Sequence, residues 1–251
     1  MNNKIKNILK KKNKSKIICL TAYSKNIAEI VDDHADIVLV GDSLGSVLYN
    51  YDTTRKVSLN MMIEHTKSAR MGVKKSLLVI DLPYNTYRNK SEALKNSKKA
   101  IKETKCDAVK VEGGTRVKEI VKHLVKNKIP VLGHIGITPQ TTKGKFRSKG
   151  KNEKEIRKLL KDAQDLEQSG AFGIVLECIY SDISKQITNA INIPTIGIGA
   201  SVNCDGQVLV TDDLIGLNET KFRFVKKFGN IKKDIKSAVI KYKNSVKQKK
   251  F

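Results

Sequence analysis

The stretch DAVKVEGG, residues 107–114, places a lysine and a glutamate two positions apart within an apolar run. In a β-strand, side chains at positions i and i+2 share a face, so Lys110 and Glu112 point the same way. On a solvent-facing side the pair would be ordinary, but inside an enclosed barrel two charges are costly unless each has a partner or a metal. The fold around this strand therefore decides what the pair does.

Seven further runs resemble this one, each a short β-branched stretch that leads into a polar residue or a glycine. Near-continuous Val, Ile and Leu are typical of parallel strands that are buried on both faces. Segments with an apolar period of 3.6 residues lie between most of them, which indicates amphipathic helices. The predicted strands are 16–23, 36–43, 76–83, 107–114, 129–136, 172–179, 193–200 and 207–214.

This alternation of eight strands with helices predicts an α/β fold, a single (β/α)8 TIM barrel, which typically occupies about 250 residues. A doubly wound open sheet is the alternative that the same alternation permits. Residues 47–58 look like an inserted hairpin, and the gap between the last two strands is too short for a full helix. We expect one barrel domain over 1–251, with a basic N-terminal segment at 1–15 and a C-terminal helical extension at 219–251.

Helix boundaries are predicted from capping residues. Thr115 is placed to cap the helix after the fourth strand, and Asp182 to cap the helix after the sixth. Gly170 is placed to end the helix before the sixth strand. A last amphipathic helix carries Ile231, Ile235, Ala238, Val239, Tyr242 and Val246 on one face, and we expect it to pack on the barrel or on a neighbouring subunit.

The composition gives little information about partners. The formal net charge is +24, but most of the basic residues are lysines spread along the chain, as on solvated helix faces. We therefore expect neither a nucleic-acid partner nor a membrane partner, because no recognition helix, RNA-binding signature or long apolar run is present. The four cysteines show no zinc spacing, which indicates a reduced, cytoplasmic protein.

Ionisable residues follow the apolar runs with unusual regularity. In a barrel, the carboxyl ends of the strands meet on the face where catalytic groups lie. Asp42, Asp81 and Glu112 come from three consecutive strands, and carboxylates that converge in a low-dielectric cavity need protonation or a cation. An all-oxygen set without clustered His or Cys suits a hard ion such as Mg²⁺. The alternative is that each one is a helix cap or an ion-pair partner.

Three more residues have candidate roles at the same end of the barrel. Lys110 is suited to hold an anionic substrate beside the metal, and a Schiff-base lysine is the competing interpretation. Glu177 follows an apolar strand, as a general base would, although it could instead form a structural ion pair with Lys110. His134 is either a substrate contact or a hydrogen-bonded core histidine.

Seven motifs, in order and with near-regular spacing from Ile17 to Phe228, resemble the ketopantoate hydroxymethyltransferase family. The resemblance implies a barrel of the phosphoenolpyruvate/pyruvate-binding type, in which Asp42, Asp81 and Glu112 match the magnesium-site carboxylates. Asp42, Ser43, Asp81 and Lys110 match the contacts to the keto acid, and Glu177 matches the proton acceptor. The motifs are LVGDSLGS, DLPY, VKVEGG, GHIGITPQ, VLEC, IGIGA and DGQVLVTDDLIGL.

The resemblance also implies a reaction and an assembly. Members of this family transfer a hydroxymethyl group from methylenetetrahydrofolate to 3-methyl-2-oxobutanoate through a Mg²⁺-stabilised enolate. The product is 2-dehydropantoate, for pantothenate and coenzyme A biosynthesis, and the enzymes are homo-oligomers, often decamers. Residues 141–153 differ from the usual family pattern, and we expect this loop to close over the site. A Mg²⁺-dependent carbon–carbon lyase or mutase acting on another 2-oxo acid is the alternative function.

Overall fold

The computed structural model describes residues 2–142, 147–219 and 225–250. The chain divides into two compact units, Met1–Val208 and Leu209–Phe251. Part of the loop predicted to close over the site, residues 143–146, lies outside the described residues. The prediction of one barrel domain with an extension from residue 219 stays a prediction.

Eight parallel strands pair in chain order and close into a barrel, so the TIM-barrel prediction is confirmed and the open sheet is excluded. Each strand lies within the run that predicted it, apart from one residue at the start of β8. The closing edge includes a hydrogen bond of 2.8 Å from the Ile17 amide to the Asp205 carbonyl. The strands are β1 (Ile17–Thr21), β2 (Ile37–Val40), β3 (Leu77–Asp81), β4 (Ala108–Glu112), β5 (Val131–Gly136), β6 (Gly173–Glu177), β7 (Thr195–Ile198) and β8 (Gly206–Leu209).

Helices precede and separate these strands. The loop of residues 199–205, which is described throughout, joins β7 to β8 without a helix, as the short gap in the sequence indicated. The helices are α1 (Asn3–Lys10), α2 (Lys25–Asp32), α3 (Leu44–Tyr49), α4 (Leu59–Gly72), α5 (Lys90–Thr104), α6 (Lys118–Lys126), α7 (Glu153–Gln168), α8 (Ser181–Ala190), α9 (Thr211–Leu214) and α10 (Ile231–Lys247).

Two predicted caps are wrong, and both helices begin elsewhere. Thr115 opens a short 3₁₀ helix before α6, because its amide and hydroxyl donate instead to Asp162 (2.8 Å) and Asp165 (2.7 Å) on α7. Asp182 lies in the first turn of α8, whose N-cap is Tyr180. Gly170 does follow the end of α7, with a φ of +90° that favours glycine.

Two other expectations of local structure are also wrong. The inserted hairpin at 47–58 is instead the end of α3 followed by a 3₁₀ helix at Thr54–Lys56. The eighth predicted strand ends at Leu209, and its last residues form α9. The C-terminal amphipathic helix is confirmed as α10, and none of its residues is buried.

The barrel interior is apolar through most of its length. Side chains from alternate positions of the strands fill it, and they include Cys19, Leu39, Val79 and Leu132. Ile5 and Ile8 of α1 belong to the same buried cluster, which indicates that α1 covers the amino-terminal end of the barrel. The opposite end is where the ionisable residues lie.

No helix in the described part of the chain combines the length and the hydropathy needed to cross a membrane.

Candidate active site

The carboxyl ends of β2 to β6 bring the predicted site residues together. Asp81 ends β3 and lies beside Lys110 of β4, while Glu112 lies beside His134 of β5. Glu177 ends β6, and its register partner on β5 is Gly136. Asp42 follows β2, and its amide donates to the Asp81 Oδ2 atom at 3.0 Å.

The lysine and glutamate of DAVKVEGG both point into the barrel. Lys110 is 5% exposed and Glu112 is 1% exposed, and the Ala108 side chain below them belongs to the apolar interior. Two charges at this depth are stable only with partners that compensate their lost hydration. The neighbouring strands supply those partners.

Lys110 contacts a carboxylate on one side and a histidine on the other. Its Nζ atom lies 3.1 Å from the Asp81 Oδ1 atom and 3.4 Å from the His134 Nδ1 atom. The same histidine lies between two further carboxylates, with Nδ1 3.4 Å from the Glu112 Oε1 atom and Nε2 3.1 Å from the Glu177 Oε2 atom. The partner of Glu177 is therefore His134, and the carboxylate beside Lys110 is Asp81.

Burial and neighbouring charges shift the pKa values of the two aspartates upward. Burial, together with the charges of Asp81 and Glu112, raises the pKa of Asp42 to about 8. Burial also raises the pKa of Asp81, although Lys110 and the Asp42 amide oppose the shift. Carboxylates in this position bind a proton or a cation readily.

The basic groups of the site are held in their charged forms. Burial favours the neutral amine of Lys110, but Asp81, Glu112 and Asp42 outweigh it and raise the lysine pKa above its ordinary value. Burial and Lys110 also act against charge on His134, yet Glu112 and Glu177 raise its pKa to about 9. Burial opposes ionisation of Glu112, and contacts with His134, Lys110 and the Gln140 amide still hold its pKa below the ordinary range.

Two buried carboxylate oxygens have no hydrogen-bond partner among the described residues. They are Asp81 Oδ1 and Glu112 Oε1, and both face the basic groups at ion-pair distance only. Glu177 is more open, with 19% of its side chain exposed. Within the described ranges, no three His, Cys, Asp or Glu side chains are already arranged to hold a metal ion by themselves.

The structure adds two residues to which the sequence analysis assigned no role. Gln140, which follows β5 in the motif GHIGITPQ, donates from its side chain to the Asp42 Oδ2 atom at 2.9 Å. The Tyr23 hydroxyl lies 2.8 Å from the Ser43 Oγ atom, directly after β1. Both residues lie just beyond the end of a strand, which is the signal that could have identified them. The sequence analysis selected acidic and basic side chains at these positions, and Gln140 and Tyr23 are neither.

A cavity of about 250 Å³ adjoins this cluster and shares Gln140 with it. Tyr84 and Tyr87 contribute aromatic rings to its wall, and Arg88 and Arg116 contribute guanidinium groups. The Arg55 guanidinium lies 5.4 Å from the centre of the Tyr84 ring. The wall of the cavity therefore combines aromatic faces with positive charge.

Solved structures with the same fold have little sequence in common with this chain. Phosphoenolpyruvate phosphomutase from Streptomyces platensis subsp. rosaceus superposes with a TM-score of 0.65 at 9% identity, covering 98% of this chain and 87% of that one. A phosphonopyruvate hydrolase, in a complex with oxalate and Mg²⁺, superposes with a TM-score of 0.61 at 10% identity, covering 98% of this chain and 86% of that one. These similarities establish the barrel fold alone.

Relatives in sequence are much closer. The 3-methyl-2-oxobutanoate hydroxymethyltransferase of Pelagibacter ubique (strain HTCC1062) is 62% identical over 100% of this chain and 97% of its own length. The enzyme of the same name from Rhizobium etli is 47% identical over 94% of this chain and 88% of its own length. The family model for ketopantoate hydroxymethyltransferase matches residues 2–251. The chain therefore belongs to the ketopantoate hydroxymethyltransferase family.

Proposed function

We propose that this protein transfers a hydroxymethyl group from methylenetetrahydrofolate to 3-methyl-2-oxobutanoate, giving 2-dehydropantoate for pantothenate and coenzyme A biosynthesis. One observation supports this most directly. Asp42, Asp81 and Glu112 converge beside a buried ammonium group in a chain that is 62% identical to an enzyme named for this activity. A 2-oxo acid carries a carboxylate and a keto oxygen, which are groups that an ammonium and a hard cation bind together.

The carboxylate cluster fits a magnesium ion. The buried Asp81 Oδ1 and Glu112 Oε1 atoms have no hydrogen-bond partner among the described residues, and a cation would satisfy them. Mg²⁺ takes oxygen ligands, commonly one or two protein carboxylates together with waters and substrate oxygens. We assign Asp42, Asp81 and Glu112 as the residues that would hold it. When bound, the ion supplies Lewis-acid polarisation of the keto group.

The side chains around the cluster then have separate tasks. Asp42, Ser43, Asp81 and Lys110 bind the 2-oxo acid, and the Lys110 ammonium stabilises the negative charge that develops on its oxygens. Glu177 removes the proton from carbon 3, since its carboxylate is the more open one and carries no structural pair with Lys110. His134, charged and 3.1 Å from Glu177, orients that carboxylate and contacts the substrate.

We assign the folate co-substrate to the cavity beside Gln140. The tyrosine rings suit the flat pterin or aryl groups of a folate. Arg116 suits the carboxylates of its glutamate tail, whereas Arg88 already pairs with Glu92 at 2.7 Å. The alternative in which Lys110 forms a Schiff base has less support. A lysine whose pKa is raised by three carboxylates stays protonated, and an ammonium group cannot attack a carbonyl.

We further propose that the enzyme is a cytoplasmic homo-oligomer, specifically a decamer. All four cysteines are free, as in a reducing compartment. Sedimentation analysis should then give a mass several times the 28.0 kDa of one chain, near ten times for the decamer. A species of one chain mass at micromolar concentration would refute the oligomer.

Product analysis by mass spectrometry tests the reaction. The protein is incubated with methylenetetrahydrofolate, Mg²⁺ and a panel of branched 2-oxo acids, and we expect 2-dehydropantoate from 3-methyl-2-oxobutanoate. Cleavage or rearrangement of another 2-oxo acid would favour the lyase or mutase instead. Covalent trapping of Lys110 by borohydride in the presence of substrate would overturn the assignment of that residue.

Hydrogen–deuterium exchange tests the metal separately from the folate. Exchange at carbon 3 of 3-methyl-2-oxobutanoate needs only the first proton transfer. Exhaustive EDTA treatment should abolish it, and added Mg²⁺ should restore it. Exchange that persists without any divalent ion would refute the magnesium assignment.

A further inference from the structure

Gln140 is buried between the carboxylates of the site. It is 1% exposed, and its Nε2 atom donates to the Asp42 Oδ2 atom at 2.9 Å and to the Leu82 carbonyl at 3.0 Å. Both hydrogens of the amide nitrogen therefore have acceptors. Because the Leu82 carbonyl can only accept, the nitrogen has to face it, and the orientation of the carboxamide is fixed.

The other end of the carboxamide has its own partner. The Tyr87 hydroxyl, which is buried, donates to the Gln140 Oε1 atom. Through this hydrogen bond Tyr87 holds the carboxamide whose nitrogen contacts Asp42. The main chain is held as well, since the Arg55 Nε atom donates to the Gln140 carbonyl at 2.8 Å.

A second carboxylate is bound by the same residue. The Gln140 backbone amide donates to the Glu112 Oε2 atom at 3.1 Å. One oxygen of Glu112 is thus occupied, while the other, Oε1, is buried without a hydrogen-bond partner among the described residues. Gln140 therefore orients one oxygen of Asp42, just after β2, and one oxygen of Glu112, at the end of β4. The other Glu112 oxygen, Oε1, faces the His134 Nδ1 atom at 3.4 Å.

We propose that Gln140 is a positioning residue that aligns Asp42 and Glu112 for the divalent cation, and that Tyr87 acts by holding Gln140. This inference rests on the proposed function, because it requires the cation. A neutral amide suits the task, since it compensates carboxylate charge without a positive charge that would compete with the ion. Hydrogen-bond partners of metal ligands are typically worth about 10–100-fold in metal affinity.

Calorimetric titration with Mg²⁺ alone, in the absence of substrates, tests the proposal. Gln140→Met keeps the length of the side chain and removes both donors, and we expect its Mg²⁺ affinity to fall about 10–100-fold. Tyr87→Phe should weaken affinity less. The double variant should match Gln140→Met, because Tyr87 has nothing left to hold once the carboxamide is gone. Gln164→Met, on the exposed face of α7, is the matched control and should bind as the wild type does.

Turnover provides a second readout. Saturating Mg²⁺ should restore most of the kcat of Gln140→Met, which loss of general structural integrity would not allow. Circular dichroism and thermal unfolding establish that each variant is folded. If Gln140→Met does not fold, Tyr87→Phe decides, and an unchanged Mg²⁺ affinity in that variant would overturn the inference.

The outcomes separate this inference from the proposed function. Wild-type protein that binds no Mg²⁺ would refute the metal assignment and this inference with it. Wild-type protein that binds Mg²⁺, beside a folded Gln140→Met that binds it equally well, would refute only the role of Gln140.

Discussion

At the scale of single residues, the site is a set of charges that stabilise one another in a place where none would be stable alone. Lys110 and His134 are the cations, and Asp81, Glu112 and Glu177 lie within 3.4 Å of them. Removing one partner from such a group leaves an uncompensated buried charge. The arrangement is therefore expected to be sensitive to loss of charge at its deeply buried members, above all Lys110, Asp81 and Glu112.

Glu177→Gln tests the proposed base. We expect the variant to keep its fold and its affinity for the 2-oxo acid, because the amide has nearly the same shape. Turnover should fall at least about tenfold, since proton transfer by a positioned side chain typically contributes about 10²–10⁴-fold. Steady-state kinetics measure this, with Glu153→Gln on the exposed start of α7 as the control. An unchanged rate would remove Glu177 from the mechanism.

Arg116→Ala tests the assignment of the cavity to folate. A charged hydrogen bond contributes typically about 1.5 kcal/mol or more, so the KM for methylenetetrahydrofolate should rise about tenfold. The KM for 3-methyl-2-oxobutanoate should change little, because Arg116 lines the cavity and contacts none of the carboxylates described above. Arg157→Ala, on an exposed arginine of α7, serves as the control. Equal increases in both KM values would contradict the assignment.

Sequence reasoning at this scale predicted that the ionisable residues lie at the carboxyl ends of the strands, but it did not identify Gln140. Asp81 and Glu112 end apolar strands, so their position and charge could be read together. Gln140 lies in a loop, and its importance comes from contacts with Asp42, 98 positions away along the chain. No local pattern encodes such a contact.

At the scale of elements, carboxylates outside the site hold the loops between helices and strands. Asp32, at the end of α2, accepts hydrogen bonds from the amides of Lys74, Lys75 and Ser76 at 2.8–2.9 Å, just before β3. Burial favours the protonated acid, but these amides outweigh it and lower the pKa of Asp32. The approach to β3 is thereby fixed by a side chain from another element.

Asp32→Ala should lower the free energy of unfolding by about 2–3 kcal/mol at pH 7, because the amides of Lys74, Lys75 and the buried Ser76 lose a charged acceptor. Asp33→Ala is the matched control. Its carboxylate pairs with Lys75 at an exposed site, where such pairs contribute typically about 0–1 kcal/mol. Urea denaturation measures both. Equal losses in the two variants would contradict the role given to Asp32.

The pH dependence of Asp32→Ala has a definite sign. A carboxyl with a lowered pKa contributes its full stability above the ordinary value of 3.8, and loses it as the pH falls through the lower native value. The difference between wild type and Asp32→Ala should therefore be constant near neutrality and become smaller below pH 4. A difference that grows on acidification would contradict the assignment.

Elements themselves were predicted well where the signal was local. Gly170, which was predicted to end the helix before the sixth strand, follows the end of α7 with a φ of +90°. Thr115 failed as a predicted cap because Asp162 and Asp165, on a different helix, bind it more favourably. Tertiary contacts of this kind override a capping preference that is worth only about 1 kcal/mol.

At the scale of the whole molecule, the two ends of the barrel have different roles, one in chemistry and one in stability. The carboxyl ends of the strands carry the charged cluster, whereas α1 contributes Ile5 and Ile8 to the apolar interior at the other end. The sequence analysis described this stretch only as a basic segment, because it considered the lysines and not the helical spacing of Ile5, Ile8 and Leu9. Lys12 and Asp205, which lie 2.9 Å apart, hold this segment to the start of β8.

Ile5→Ala should destabilise the protein without altering its chemistry. A buried isoleucine truncated to alanine typically loses about 2–5 kcal/mol, and we expect a drop of that order in the free energy of unfolding. Where the variant is folded, kcat should match that of the wild type, since the site lies at the opposite end. Lys6→Ala, an exposed change in the same helix, should differ by less than about 0.5 kcal/mol. A stability unchanged by Ile5→Ala would show that α1 is dispensable.

The contacts of Asp205 also determine when the barrel can close during synthesis of the chain. Lys12 and Asn13 bind the carboxylate of Asp205, which is synthesised 193 and 192 positions later. The Ile17 amide donates to the carbonyl of the same residue, so the pairing at the closing edge of the barrel cannot form before Asp205 is made. At about 5–20 residues per second, translation leaves that gap open for roughly 10 to 40 s. Throughout this interval the apolar side chains of the first helix have no finished barrel to cover. The amphipathic first helix is therefore synthesised well before the barrel that covers it, and the barrel can close only after Asp205 has been made.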